Sequence, residues 1–248
     1  MGNILSTQRH NSKEIKKKIV LYTLTFYSKY TSRALTFSEF KKAPDELRAA
    51  QEELDRVLQG RPVTYGDVMK LERVRLVLTE ALRLYPQPPI LIRRALVDDT
   101  LPLAWNNEKQ VKVFRGTDIF MLFWNLHRSP VLWGDDADAF RPGRWREPRT
   151  NPELPEWKGY TPNPNAMYPN EITSDYAFCP FGAGARKCIG DQFAFMEAVC
   201  VLSSVLQRYD LQLDVSPEEV GMATGATIHT EKGLPVRLTP RKKKVAST

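Results

Sequence analysis

Residues 181–190, FGAGARKCIG, constrain this chain more than any other ten. They place Cys188 after Gly182 and Gly184 and two residues before Gly190. An apolar helical pattern over residues 190–209 comes at once, at Phe193, Ala194, Val199, Leu202, Val205 and Leu206. Glycines lack a Cβ, so the backbone can turn tightly and come close to something flat and bulky. A cysteine at a helix start sits where the partial positive charge of that terminus stabilises a thiolate. Arg186 adds a fork of donors matched to a carboxylate. A solitary cysteine is otherwise a small buried hydrophobe; this one is presented. Two other glycine loops are excluded by spacing. Position 187 is lysine, not the third glycine of a dinucleotide fingerprint, and no Gly-Lys-Ser/Thr follows for a phosphate loop. Cys179 and Cys188 lack the paired spacing of a zinc site.

A soft anionic sulfur in a glycine loop, beside a carboxylate clamp, suits an iron porphyrin with propionate arms. The rest of the composition allows this. The chain has 248 residues, 42% apolar and 26% charged, an ordinary globular balance, and its 18 Pro and 13 Gly follow no period. Three cysteines do not make a disulfide scaffold, so a reducing compartment is expected. The net charge of +7 is concentrated at the ends: five cations face one acid in residues 1–18, and four more occupy residues 241–248. The body is close to neutral, which excludes a phosphate-tracking nucleic-acid surface. The longest apolar run, residues 19–26, is eight residues broken by threonines. A membrane span needs about 20, so no transmembrane span is expected in this chain.

Three regions are expected. Residues 1–43, with ten Ser/Thr, nine Lys/Arg and two acids, read as an irregular basic leader. Its composition fits an organelle transit peptide. Its first residues, MGNILS, fit N-myristoylation with a lysine-rich second signal, which would give peripheral membrane contact. A leader without function is the third reading. Residues 44–240 form the body and 241–248 a basic tail. In the body, Leu47, Ala50, Leu54, Val57 and Leu58 mark a helix between Pro44 and Gly60, and Thr64 with Asp67 approximates a capping box. A second helix runs over 71–85 to the stop at Pro86, Pro88 and Pro89. Residues 90–94 and 111–114 read as strands and 119–124 as a buried run. Residues 145–176 read as a long surface loop. A β-hairpin region closes the chain before the tail. The fold class is mixed α and β, mainly α.

Phe181, Gly184, Arg186, Cys188 and Gly190 match F-x-x-G-x-R-x-C-x-G, and the chain here resembles the cytochrome P450 family. The resemblance implies haem b (iron protoporphyrin IX), with Cys188 as axial iron ligand and sole catalytic and metal residue. Phe181, Gly182, Gly184, Arg186 and Gly190 would line the cofactor. Arg186 would meet a propionate and Phe181 would pack on the thiolate side of the ring. Arg93 is a second propionate candidate; Arg94 points to the opposite face of a strand. The family also carries E-x-x-R on a helix, a pattern found here at Glu53–Arg56, Glu72–Arg75 and Glu80–Arg83. Only the third has family-like surroundings, TEALRLYP (79–86), on a helix apolar nearly all round and hence buried. Arg144, in FRPGRW (140–145), would be its third partner, with Gly143 where the family usually has Glu.

The wider resemblance covers residues 44–240 and looks like the C-terminal half of the fold: K-type and L-type helices, a meander loop and small β-sheets. RLYPQPPILIRR (83–94), WNLHRSP (124–130) and GATIHT (225–230) look like the plastid carotenoid-hydroxylase branch. His127 and His229 are expected to be structural. Ile90, Leu91, Ile92, Thr227 and Ile228 would be apolar pocket wall or core. The resemblance thus implies a plastid haem-thiolate monooxygenase that hydroxylates a carotenoid with O2. Electrons would come from a ferredoxin or a flavin reductase, with Lys187 facing the acidic partner. The family's central helix carries Ala/Gly-Gly-x-Asp/Glu-Thr, and residues 1–79 hold no such segment. The alternative is a truncated, non-catalytic fragment lacking that oxygen-activating helix.

Overall fold

The computed structural model describes residues 33–103, 106–224 and 227–241. Six helices and four two-stranded antiparallel sheets make a mixed, helix-dominated body among them. Helix α1, Arg33–Lys42, lies within the expected leader. Its Phe37 and Phe40 are buried in the main apolar core, so the boundary at 43 is corrected: the body begins by residue 33. The composition of 1–43 had averaged a polar leader with a packed helix. The transit-peptide and myristoylation readings lie outside the described residues.

Helix α2, Pro44–Leu58, starts on Pro44 with Asp45 and Glu46 in its first turn, where acids meet the positive helix end. It ends on Gln59 and Gly60, both in the left-handed region at φ +49° and +83°. A 3-10 turn, Tyr65–Lys70, is capped reciprocally by Thr64 and Asp67. Helix α3, Glu72–Leu84, has no side-chain cap of its own. Its first free backbone N–H groups, Arg73 N and Val74 N, instead donate to Glu53 Oε1 and Oε2 at 2.9 and 3.1 Å.

Strand β1, Ile90–Arg94, pairs with β4, Asp118–Leu122, and β2, Asp99–Leu103, with β3, Asn106–Val113. The buried run expected over 119–124 is corrected. Phe120 and Leu122 are exposed beside Ile92 and Ile90, because the hairpin covers only one of its faces. The run then continues into helix α4, Phe123–Leu126, followed by α5, Pro130–Trp133. Residues 147–183 contain no helix or strand. They are nevertheless packed: Trp157, Tyr160 and Phe178 form a second core with Trp133 and Trp145. Residues 145–176 thus contain the long non-periodic loop expected there, corrected in one respect: part of it is packed into the core rather than lying on the surface.

Helix α6, Asp191–Leu206, lays Phe195, Val199, Leu202 and Leu206 against Leu54, Leu58, Val74 and Val77 of α2 and α3. Two hairpins finish the chain. Strand β5, Tyr209–Leu213, pairs with β8, Val236–Pro240, and β6, Met222–Thr224, with β7, Ile228–Thr230. Arg241 belongs to this body rather than to a free tail: its Nη2 lies 2.7 Å from Asp55 Oδ2. The remaining tail lies outside the described residues.

Candidate functional site

The FGAGARKCIG loop is built on two left-handed glycines, Gly182 at φ +75° and Gly184 at +66°, conformations that side-chain-bearing residues rarely adopt. A 3-10 turn, Gly184–Arg186, closes with Lys187 N donating to Gly184 O at 3.1 Å. Cys188 N then donates to Phe181 O at 2.9 Å, pinning the two ends of the loop together. Cys188 is exposed, two residues short of the helix cap at Gly190. Gly190 has an ordinary φ of −93°. A Cβ there would lie 3.9 Å from Cys188 Sγ, an ordinary contact, so neither strain nor space demands glycine at this position. Phe181 is half-buried and meets Tyr168 edge-on at 5.3 Å.

Two apolar side chains close to Cys188 in the chain are open to water. Ile189 is fully exposed and Phe193 is 67% exposed. A Cβ at Gly182 would lie 3.6 Å from Leu91 Cδ1, so strand β1 runs beside the loop. Leu91 and Arg93 share one face of that strand. Arg94 is held by Asp118 through two bonds of 2.8 and 2.9 Å. Arg93 bonds only Ile92 O, at 3.0 Å, and no carboxylate pairs with it or with exposed Arg186 among the described residues.

Lys187 is not available to a partner, which corrects that expectation. Its Nζ is 3.0 Å from Glu171 Oε2 and 3.1 Å from Asp191 Oδ2. Tyr168 Oη also donates to Asp191 Oδ2. Burial works against the Lys187 charge, yet its bonds to Glu171 and Asp191 win and hold its pKa above the usual lysine value. The i,i+4 spacing of Lys187 and Asp191 is legible in the sequence; Tyr168 and Glu171 give no such signal.

A second constellation lies in the interior. Glu80, Arg83 and Arg144 are together and buried. Glu80 Oε1 accepts from Arg83 Nη2, Arg144 Nε and Arg141 N at 2.8, 2.9 and 3.0 Å. Its Oε2 accepts from Arg83 Nε and Trp145 Nε1, both at 3.0 Å. Arg83 spends its remaining donors on His127 O, Ala137 O and Ala139 O, and Arg144 on Asp136 and Ala139 O. Such saturation lets a buried ion pair survive its desolvation cost. The Trp145 and Arg141 donors lie in the same FRPGRW stretch as Arg144, though nothing in the spacing marks them as partners of Glu80. The other two E-x-x-R pairs do not form: Glu53 caps α3, Glu72 pairs with Arg146 at 2.9 Å, and Arg75 holds Ala166 O and Met167 O. His127 Nε2 accepts from Cys179 N at 2.9 Å, and burial lowers its pKa to about 3, so the ring is a neutral structural acceptor.

No three His, Cys, Asp or Glu side chains converge as metal ligands among the described residues. The exposed Cys188, the left-handed glycine turns, the apolar Ile189 and Phe193 and the uncommitted Arg186 and Arg93 fit an iron porphyrin with carboxylate arms.

Comparison with known proteins agrees. The cytochrome P450 family pattern matches residues 31–234. The chain is 48% identical over 217 residues to cytochrome P450 97B2, chloroplastic, of Glycine max, covering 85% of this chain and 37% of that protein. It is 39% identical over 236 residues to Protein LUTEIN DEFICIENT 5, chloroplastic, of Arabidopsis thaliana, covering 94% and 35%. It is also 39% identical over 213 residues to carotene epsilon-monooxygenase, chloroplastic, of the same plant, covering 85% and 35%. The chain thus spans little more than a third of the length of these relatives. With a match over most of its own residues, it belongs to the cytochrome P450 family.

Proposed function

We propose that this chain carries the thiolate side of a haem-dependent monooxygenase acting on a carotenoid-type hydrocarbon in the plastid. The observation that carries the reading is Cys188, exposed at the head of α6 in a loop turned by two left-handed glycines, Gly182 and Gly184. In this reading α3 is the K-type helix, α6 the L-type helix and residues 147–183 the meander. Cys188 coordinates the iron of haem b, while Phe181, Gly182, Gly184 and Gly190 line the thiolate side. Arg186 and Arg93 hold the propionates. Haem, when bound, uses O2, two electrons and two protons to place one oxygen atom in a C–H bond and release the other as water. Glu80, Arg83 and Arg144 keep the surrounding backbone in place and do no chemistry.

The substrate class and the plastid setting rest on the names of the relatives. A ferredoxin or a flavin reductase is the electron donor. No helix among the described residues is long and apolar enough to cross a membrane. The test is the difference spectrum of the reduced, haem-reconstituted chain with and without carbon monoxide. The expected result is a strongly red-shifted Soret band that is lost in Cys188→Ala. A red-shifted band that persists in Cys188→Ala, or that is absent from a parent chain that has taken up haem, would overturn the assignment.

A further inference from the structure

Arg75, in the first turn of α3, is buried with its charge unanswered. It is 7% exposed and forms no ion pair with a carboxylate among the described residues. Its Nη1 donates to Ala166 O and Met167 O at 2.7 and 3.0 Å, and its Nη2 to Met69 O at 3.2 Å. A guanidinium carries five N–H donors, so one on Nη2 and the one on Nε remain. The Nε is buried and has no acceptor among the described residues. Glu72 and Glu53 are the acids whose fields reach this guanidinium, but both are spent elsewhere. Glu53 receives the first N–H groups of α3, and Glu72 receives Arg146 through two bonds of 2.9 and 3.1 Å. Burial outweighs their fields and holds the Arg75 pKa below the usual arginine value.

The same side chain lines a cavity of about 270 Å³ between α3, the 3-10 turn Pro142–Arg146 and residues 160–169. The charged lining is Arg75, Arg146 and Glu72. Arg146 neutralises Glu72, which leaves one net positive charge, that of Arg75. Most of the remaining wall is apolar and includes Leu76, Trp145, Pro162, Pro164 and Met167. We propose that this cavity binds a small organic carboxylate, whose charge pairs with the Arg75 guanidinium while its apolar body lies against Leu76, Trp145 and Met167. A buried donor without an acceptor costs free energy that a bound anion recovers. The planar fork of an arginine matches the two oxygens of a carboxylate. An inorganic anion would gain nothing from the apolar walls. The volume lies just under the roughly 300–1,000 Å³ of ordinary small-molecule sites, which limits the body to one ring or a short chain. No lining residue belongs to the cysteine loop, so this site is separate from that of Cys188.

The test is calorimetric titration of the haem-free full chain with benzoate as the probe, which makes it independent of the proposed haem ligation. One benzoate per chain is expected, with a dissociation constant of about 1 mM or tighter for so small a ligand. Benzamide, which has the same shape without the charge, should bind at least about tenfold more weakly, and inorganic phosphate should not compete. This comparison needs no variant. Arg75→Met should weaken benzoate binding by at least about tenfold. That change also gives up the bonds to Met69, Ala166 and Met167, so Ala166→Leu is the decisive substitution. It adds bulk to the cavity wall, leaves the guanidinium in place and should weaken binding as much, with the circular dichroism and thermal melt of the parent. Absence of saturable binding, benzoate held equally by Ala166→Leu, or equal affinity for benzamide would each overturn the proposal. Phosphate competing on equal terms would overturn it too, since the apolar walls would then take no part.

Discussion

Glu80 and Cys188 are built on opposite rules. Glu80 is buried and accepts five hydrogen bonds, four from side chains and one from backbone. Cys188 is exposed, with Lys187 beside it locked in ion pairs and no side-chain bond of its own among the described residues. A carboxylate with every lone pair engaged has nothing left for a ligand and serves only the fold. A sulfur held in place by everything except its own bonds is free to accept one. In this chain, saturation separates scaffold from site better than residue type does.

The largest effect should come from the saturated centre. Glu80→Ala leaves Arg83 and Arg144 buried without their shared counter-charge, a loss of about 3–5 kcal/mol by the behaviour of broken buried pairs. Soluble yield and the thermal melt by circular dichroism check this, and a melt like the parent's would break the contrast. A smaller effect is expected from His127. Its folded pKa of about 3 lies below the unfolded value of 6.5, so the unfolded chain binds the extra proton between them. Stability from this group is intact above about pH 6.5 and falls with acidification towards about pH 3, by at most about 1.4 kcal/mol per pH unit. Denaturant midpoints between about pH 6.5 and 4.5, above most carboxylate titration, should therefore decline in the parent and decline less in His127→Gln. Equal slopes would show that the ring is not held neutral. The smallest effect belongs to the open centre: Cys188→Ala should shift apo-protein stability by no more than about 0.5 kcal/mol, as exposed substitutions do. A melt that drops sharply would make the cysteine a scaffold residue like Glu80.

The sequence exposes these regions unequally. The cysteine loop is contiguous, and its glycines, arginine and helix start fall within ten letters, so physical reasoning carries through from residues alone. The buried pair is local at Glu80 and Arg83, but three copies of the pattern compete, and proline context has to decide among them. Arg144 lies 64 residues from Glu80, out of reach of periodicity, and comes only from family resemblance. The packing of Trp157, Tyr160 and Tyr168 is invisible to periodic spacing, which reports regular elements, and residues 147–183 have none. The 119–124 run misleads for a different reason: an apolar strand reads as buried whether one face or both are covered. Helix α1 is lost inside a leader whose overall composition outweighs Phe37 and Phe40.

The Glu53 carboxylate, twenty residues upstream of the N–H groups it receives, gives the helix beginning at Glu72 a borrowed starting point. Excised as a peptide, residues 72–84 would fray at that end, since a lone segment of this length is marginal in water even with good ends. The stretch bearing Glu80 and Arg83 therefore has no independent existence. It becomes a helix when its predecessor docks, and the two rise and fall as one cooperative unit.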